Sequence, residues 1–296
     1  MKRKGFVALT LALSLTLAPS LTDAKVVEST DTHGDSVSIE ALPKAKNKGK
    51  EKFDQPAQVE QATTAEVFDK NKNKVGEKKF NKNVDKKAKK NDKKKAQSEE
   101  GICILFWCDN DPGGGDDGGG TDPGTTRVVT VFIAADEEYR AAHSDWQTLT
   151  QDIVENADNG FQRDHNIDFQ VKGLGEWSSQ GANASEILQD LDRDWNGTGD
   201  DFLVGFTKDS NFNAGGIAYV YPSSPSNSAV SVNLDQGATN TWHAAQHEFS
   251  HNYGLGHDPQ GSGIECIMNY DYSYSVDYWD QDHDDEIQAH KAWYGN

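Results

Sequence analysis

Residues 127–296 predict an α/β (α+β) domain, built as a mixed twisted sheet with helices packed on it. Three observations lead there. Apolar runs of strand length alternate with stretches of helical periodicity, in the order strand, helix, strand, helix, three strands, helix. A Gly/Asp/Pro-rich tract over 109–126 separates this region from what precedes it, as a flexible linker does. A domain of this size also buries roughly 68–70% of its unfolded surface, enough for one core.

The first strand is RVVTVFIAA (127–135), a continuous apolar run suited to burial on both faces. Asp136, Glu137 and Glu138 then open a helix, where the N-terminal dipole favours acids. Its stripe of Tyr139, Trp146, Leu149 and Ile153 carries it to a stop near Gly160. DFQVKGL (168–174) reads as a strand. SEILQDLDRDW (185–195) reads as a helix with Ile187, Leu188, Leu191 and Trp195 on one side. DFLVGFT (201–207), GGIAYVY (215–221) and SAVSVNL (228–234) are three further strands. A helix begins at about Asn240, and a last one from about Gln281 closes the chain.

Upstream the chain changes character. Residues 1–24 run from basic to apolar to small residues, the pattern of a secretory signal peptide cut after Ala24. The apolar run is short for a membrane span and Pro19 interrupts it. Residues 25–108 read as a lysine-rich, largely disordered pro-segment. A tract such as KNKNKVGEKKFNKNVDKKAKKNDKKK has too little apolar surface to offset its ordering entropy. It lacks the stacking aromatics and the fold of a nucleic-acid binder. Its removal is expected to leave a mature amino terminus within 101–127, where the linker is open to proteases.

From Arg127 onward 7 Lys and Arg stand against 28 Asp and Glu, a net charge of −21 in a chain of −19. That surface repels nucleic acid and anionic membranes, and salt screens it. The expectation is an extracellular monomer acting on protein or peptide. The three cysteines leave their pairing open. Cys103 and Cys108 can pair locally, Cys266 can pair with either, or an upstream thiol can cap a metal.

The chemistry concentrates in HEFSHNYGLGHD, residues 247–258, which hold three of the nine histidines. On a helix, residues four apart share a face, so His247 and His251 can address one point. Glu248 lies a step round the helix, placed as a general base. Gly254 and Gly256 let the chain turn and bring His257 back. Three imidazoles leave a fourth tetrahedral position open, the catalytic pattern of zinc sites.

This stretch resembles the zinc-binding consensus of the metzincin metalloproteases. ECIMNY (265–270) is similar to that family's Met turn, with Met268 one of two methionines in the chain. The resemblance implies an active-site helix, a small C-terminal Met-turn subdomain, and a cleft bordered by an edge strand that pairs with extended substrate. GGIAYV resembles that strand. It implies His247, His251 and His257 as Zn²⁺ ligands, Glu248 as base, and Asp258 as an anchor for the loop carrying His257. His257-Asp258 and the CIM turn are similar to the adamalysin branch. Tyr270 is similar to the tyrosine that stabilises the transition state in the astacin and serralysin branches. The branch therefore stays open.

Separately, Asp192, Asp194, Asn196, Gly197 and Asp200 are spaced like positions 1, 3, 5, 6 and 9 of a calcium loop. Leu203 at position 12 removes the bidentate ligand, so Ca²⁺ binding there would be weak. The functional expectation is a secreted zinc endopeptidase made as a zymogen. The competing readings are a zinc-binding adhesion module without turnover and a zinc amidase acting on cell-wall peptides.

Overall fold

A computed structural model describes residues 28–55, 64–80 and 126–296. The signal sequence, most of the linker and both Cys103 and Cys108 lie outside the described residues. Five strands of the C-terminal region form the expected mixed sheet: β5 (Arg127–Ala135), β6 (Ile167–Glu176), β7 (Phe202–Thr207), β8 (Gly216–Val220) and β9 (Ala229–Leu234). β5 pairs in parallel with both β6 and β7, and β7 in parallel with β9. β8 alone runs antiparallel, against β9. The central strands are buried on both faces, which explains why RVVTVFIAA and FLVGFT show no polar alternation.

The expectation of disorder over 25–108 does not hold for 28–55 and 64–80. These residues supply β1 (Glu28–Thr30), β2 (Ser36–Leu42), β3 (Thr64–Phe68) and β4 (Lys74–Lys79). All four join the same sheet, in the order β1-β2-β8-β9-β7-β5-β6-β3-β4. β2 pairs antiparallel with β8 and β3 pairs in parallel with β6, so the N-terminal segment covers both edges of the C-terminal sheet. Composition argued only that this segment cannot build a core of its own. It orders because ready-made backbone edges receive it.

The single helix expected from 136 to 160 is three: α1 (Glu137–Ala142), α2 (Trp146–Ala157) and α3 (Asn159–His165). His143 is extended and breaks the first from the second. Gly160 does not stop a helix. A Cβ there would lie 2.5 Å from Gln246 Nε2 and 2.8 Å from the Asp277 carbonyl oxygen, so glycine is present for close packing. The stop comes at Asn166, in the left-handed region at φ 51°. Helix α4 (Ala184–Trp195) is capped by Asn183, whose side chain accepts from the Glu186 N–H.

The calcium-loop reading fails on this helix. α4 continues through Trp195, so Asp192 and Asp194 sit two apart on a helix and face different ways. Asp192 is buried, and its carboxylate accepts from the Thr32 N–H and the Asn196 side chain. Among the described residues, Asp192, Asp194 and Asp200 form no converging group of carboxylates.

Helix α5 (Ala238–Asn252) carries the motif and is buried over its whole length. Asn252 Nδ2 donates to the carbonyls of Tyr219 and Val230, fixing α5 to β8 and β9. Phe249 stacks on Phe169 and meets Phe202 edge-on, tying α5 to the core under the sheet. Trp279 Nε1 donates to Ser250 Oγ and anchors the C-terminal segment, which ends in α6 (Gln281–His290).

Candidate active site

Helical spacing brings His247 and His251 onto one face, as the sequence predicts. After α5, Gly254 adopts φ 93° and its N–H closes the helix on the His251 carbonyl. Gly256 needs no such freedom, so one glycine makes the turn. The chain then returns His257 so that the three Nε2 atoms lie 2.9–3.1 Å apart.

The tautomers follow from the partners. His247 Nδ1 donates to the Ile267 carbonyl at 2.8 Å, and His251 Nδ1 to the Leu255 carbonyl at 2.7 Å. A carbonyl only accepts, so each Nδ1 carries the proton and each Nε2 presents a lone pair. His257 Nδ1 lies 3.2 Å from the Tyr270 hydroxyl, which itself donates to the Ala41 carbonyl at 3.1 Å. That hydroxyl can therefore accept the third Nδ1 proton. Three bare lone pairs facing one another repel unless a cation lies between them. Zn–N bonds of about 2.0–2.1 Å give tetrahedral edges of about 3.3 Å, close to the spacing here. The donor set fits Zn²⁺. Burial also holds the His247 and His251 imidazoliums well below the usual range, which favours the neutral rings that a metal requires.

Glu248 is fully buried beside the triad, and neither carboxylate oxygen has a hydrogen-bond partner among the described residues. Burial pushes its pKa well up, and the nearby Glu40 carboxylate adds to this. A buried acid whose neighbouring donor is the Leu42 N–H is suited to meet a water or a substrate amide. Gly216 on the edge strand makes room for it, since a Cβ there would lie 2.3 Å from Glu248 Oε1.

The Met turn lies where the resemblance puts it. Met268 is fully buried, the Ile267 carbonyl orients His247, and the Met268 carbonyl accepts the Asp258 N–H at 3.2 Å. Asp258 thus holds the His257 loop through its backbone. Its carboxylate faces His283, 3.7 Å away. Among the described residues, the other group able to gather round a metal ion is Asp258, Cys266, Asp280 and His283. There Asp280 Oδ1 already accepts both the N–H and the Nδ1 of His283, as the cap of α6. Cys266 is a buried free thiol 3.4 Å from His283 Nδ1.

Sequence reasoning missed Glu40 and the strand that carries it. Glu40 Oε2 lies 3.5 Å from His257 Nδ1, and Tyr274 donates to the Pro43 carbonyl at 2.8 Å. The cleft beside β8 is thus filled by β2. No local pattern announces this, because the contact is between backbones.

A reprolysin-type model of metallo-peptidase family M12 matches residues 125–280, just over half of the chain. Metalloproteinase-II from Bacteroides fragilis is a distant structural neighbour at 14% identity and TM-score 0.42, covering 58% of this chain and 55% of that one. A chaperone-substrate complex is another, at 13% identity and TM-score 0.44, covering 58% of this chain and 35% of that one. No curated protein matches the chain. The family match takes in the whole triad and the turn beneath it, and the chain belongs to metallo-peptidase family M12.

Proposed function

We propose that this chain is a secreted zinc endopeptidase, made with a signal peptide and a latency segment, and that Glu248 is its general base. One observation carries the reading. An extended peptide, β2, already lies antiparallel on β8 beside the triad, which is how an endopeptidase receives a substrate. Backbone pairing of this kind supplies affinity with little dependence on sequence.

Zinc held by His247, His251 and His257 would supply Lewis-acid chemistry, polarising a carbonyl and bringing the pKa of water down to about 7. The chain's own residues do the rest. Glu248 takes a proton from the attacking water and passes it to the leaving nitrogen. Burial raises the proton affinity of this carboxylate and so strengthens it as a base. The Tyr270 hydroxyl donates to the carbonyl oxygen as charge develops there. β8 and β9, held to α5 through Asn252, keep the peptide in register with these groups.

The test separates enzyme from binding module. Glu248→Gln keeps the shape but cannot take a proton at neutral pH. It is expected to fold and to bind one zinc per chain, while casein hydrolysis falls to background. His251→Ala is expected to lose the metal as well. Zinc stoichiometry and casein hydrolysis are read on the same samples. Substantial hydrolysis by Glu248→Gln would remove it as the base. A wild type that holds zinc and cleaves no peptide would make the chain a binding module.

A further inference from the structure

We propose that the Ala41–Leu42 peptide bond is the chain's own first substrate, held in a productive pose and cut in cis. The inference rests on the peptidase reading and adds a bond, a direction and a side-chain preference to it. Leu42 pairs with Gly216 at the catalytic end of β8, and its carbonyl accepts the Gly215 N–H at 2.7 Å. One residue earlier, the Ala41 carbonyl accepts from the Tyr270 hydroxyl at 3.1 Å. The Leu42 N–H lies beside the Glu248 carboxylate. The carbonyl oxygen and the amide nitrogen of a single peptide bond therefore lie beside Tyr270 and Glu248, the donor and the base of the proposed reaction.

The side chains agree with that pose. Alternation along a strand puts Glu40 and Leu42 on the face towards α5 and turns Ala41 outwards. Leu42 is 1% exposed, whereas Ala41 is exposed. A buried site thus receives the residue after the bond. The chain is clamped on both sides of the cut. β2 is paired upstream, and downstream Tyr274 holds the Pro43 carbonyl while Gln236 Oε1 accepts the Ala45 N–H at 2.7 Å. Gly215 and Gly216 leave the room for this. A Cβ on Gly215 would lie 2.0 Å from the Tyr274 hydroxyl and 2.8 Å from the Pro43 carbonyl oxygen.

The step is a hydrolysis. Water's oxygen bonds to the Ala41 carbonyl carbon as the bond to the Leu42 nitrogen breaks. Glu248 carries a proton from that water to the nitrogen. Ala41 becomes a carboxyl terminus and Leu42 a new amino terminus. Until that cut the strand is also a plug, since it occupies the edge that any other peptide must use. External substrates should share the preference, with a medium aliphatic residue after the cleaved bond.

The full chain is prepared with chelator, then given Zn²⁺, and its fragments are read by mass and by amino-terminal sequencing. The expected product begins at Leu42, forms at a rate constant unchanged by tenfold dilution, and is absent from Glu248→Gln. Leu42→Asp is expected to slow cleavage at 41–42 by on the order of 10²-fold. A second readout does not depend on activity. In Glu248→Gln, amide hydrogens over 37–42 should exchange slowly, and adding Leu42→Asp should release them by at least about tenfold. A wild type that hydrolyses casein but leaves 41–42 intact, or is cut only at a neighbouring bond, overturns the inference and leaves the peptidase reading standing. A rate that scales with concentration overturns cleavage in cis. Amides that exchange at free-peptide rates in Glu248→Gln overturn the pose. A chain that cuts neither casein nor itself overturns both readings.

Discussion

The hydroxyl of Tyr270 touches two groups of the proposed site, His257 Nδ1 at 3.2 Å and the Ala41 carbonyl at 3.1 Å. Tyr270→Phe therefore has two separable consequences. Loss of one donor to a developing oxyanion costs on the order of 10²–10³ in kcat. Loss of the partner of a proposed zinc ligand is expected to weaken metal binding by about tenfold or more in Kd. At saturating zinc, the expectation is full metal content, KM little changed and kcat down by about that factor. Steady-state kinetics with metal analysis checks it, and wild-type kcat would take Tyr270 out of the mechanism. The sequence marked this tyrosine by its place two residues after Met268. It could not show that the acceptor is a carbonyl of the same chain, because Ala41 lies 229 residues away.

At the scale of elements, helix α2 is held against the sheet at an electrostatic cost. Glu155 lies 2% exposed near Asp168 and Asp152, and burial, then the Asp168 charge, pushes its carboxyl from 4.5 up to about 8. The folded chain thus keeps a proton on Glu155 that the unfolded chain gives up. With more protons bound in the folded state, stability falls as pH rises from about 4.5 to about 8. Glu155→Gln keeps an acceptor for Gln151 Nε2 and removes the titration. The variant should match wild type near pH 5 and exceed it at pH 8 by on the order of 1–3 kcal/mol. Urea melts at the two pH values measure this, and a gain that does not grow with pH would mean that Glu155 is ionised in the fold. The apolar stripe of α2 was legible in the sequence. The break at His143 and the close contact at Gly160 were not, because both are imposed by neighbours packed from elsewhere in the chain.

For the whole molecule, charge is the dominant global term. The region from Arg127 onward carries −21 against −19 for the full chain, so folding gathers like charges at short range. Salt shortens the screening length from about 10 Å at 0.1 M to about 3 Å at 1 M. Raising NaCl across that range should raise Tm by several degrees, as roughly 1 kcal/mol corresponds to about 2–4 °C in a domain of this size. Differential scanning calorimetry tests it, and a Tm unmoved or lowered by salt would rule out self-repulsion as a significant cost. The N-terminal strands lie on both edges of this acidic sheet, so their release exposes two backbone edges at once.

What the sequence determined by itself was everything encoded within a few residues. Helical periodicity put His247 and His251 on one face, Gly254 made the turn that returns His257, and apolar runs marked each strand of the C-terminal sheet. Only the tertiary structure decided the rest. The spacing that suggested a calcium loop lost its meaning once α4 ran on through Trp195 and turned Asp192 and Asp194 apart. A tract read as disordered became four strands, and one of them set Glu40, Ala41 and Leu42 in the catalytic cleft. The reason is physical. Pairing with a sheet edge is made by N–H and C=O groups that every residue carries, so the partner that orders such a segment leaves no mark in its side chains.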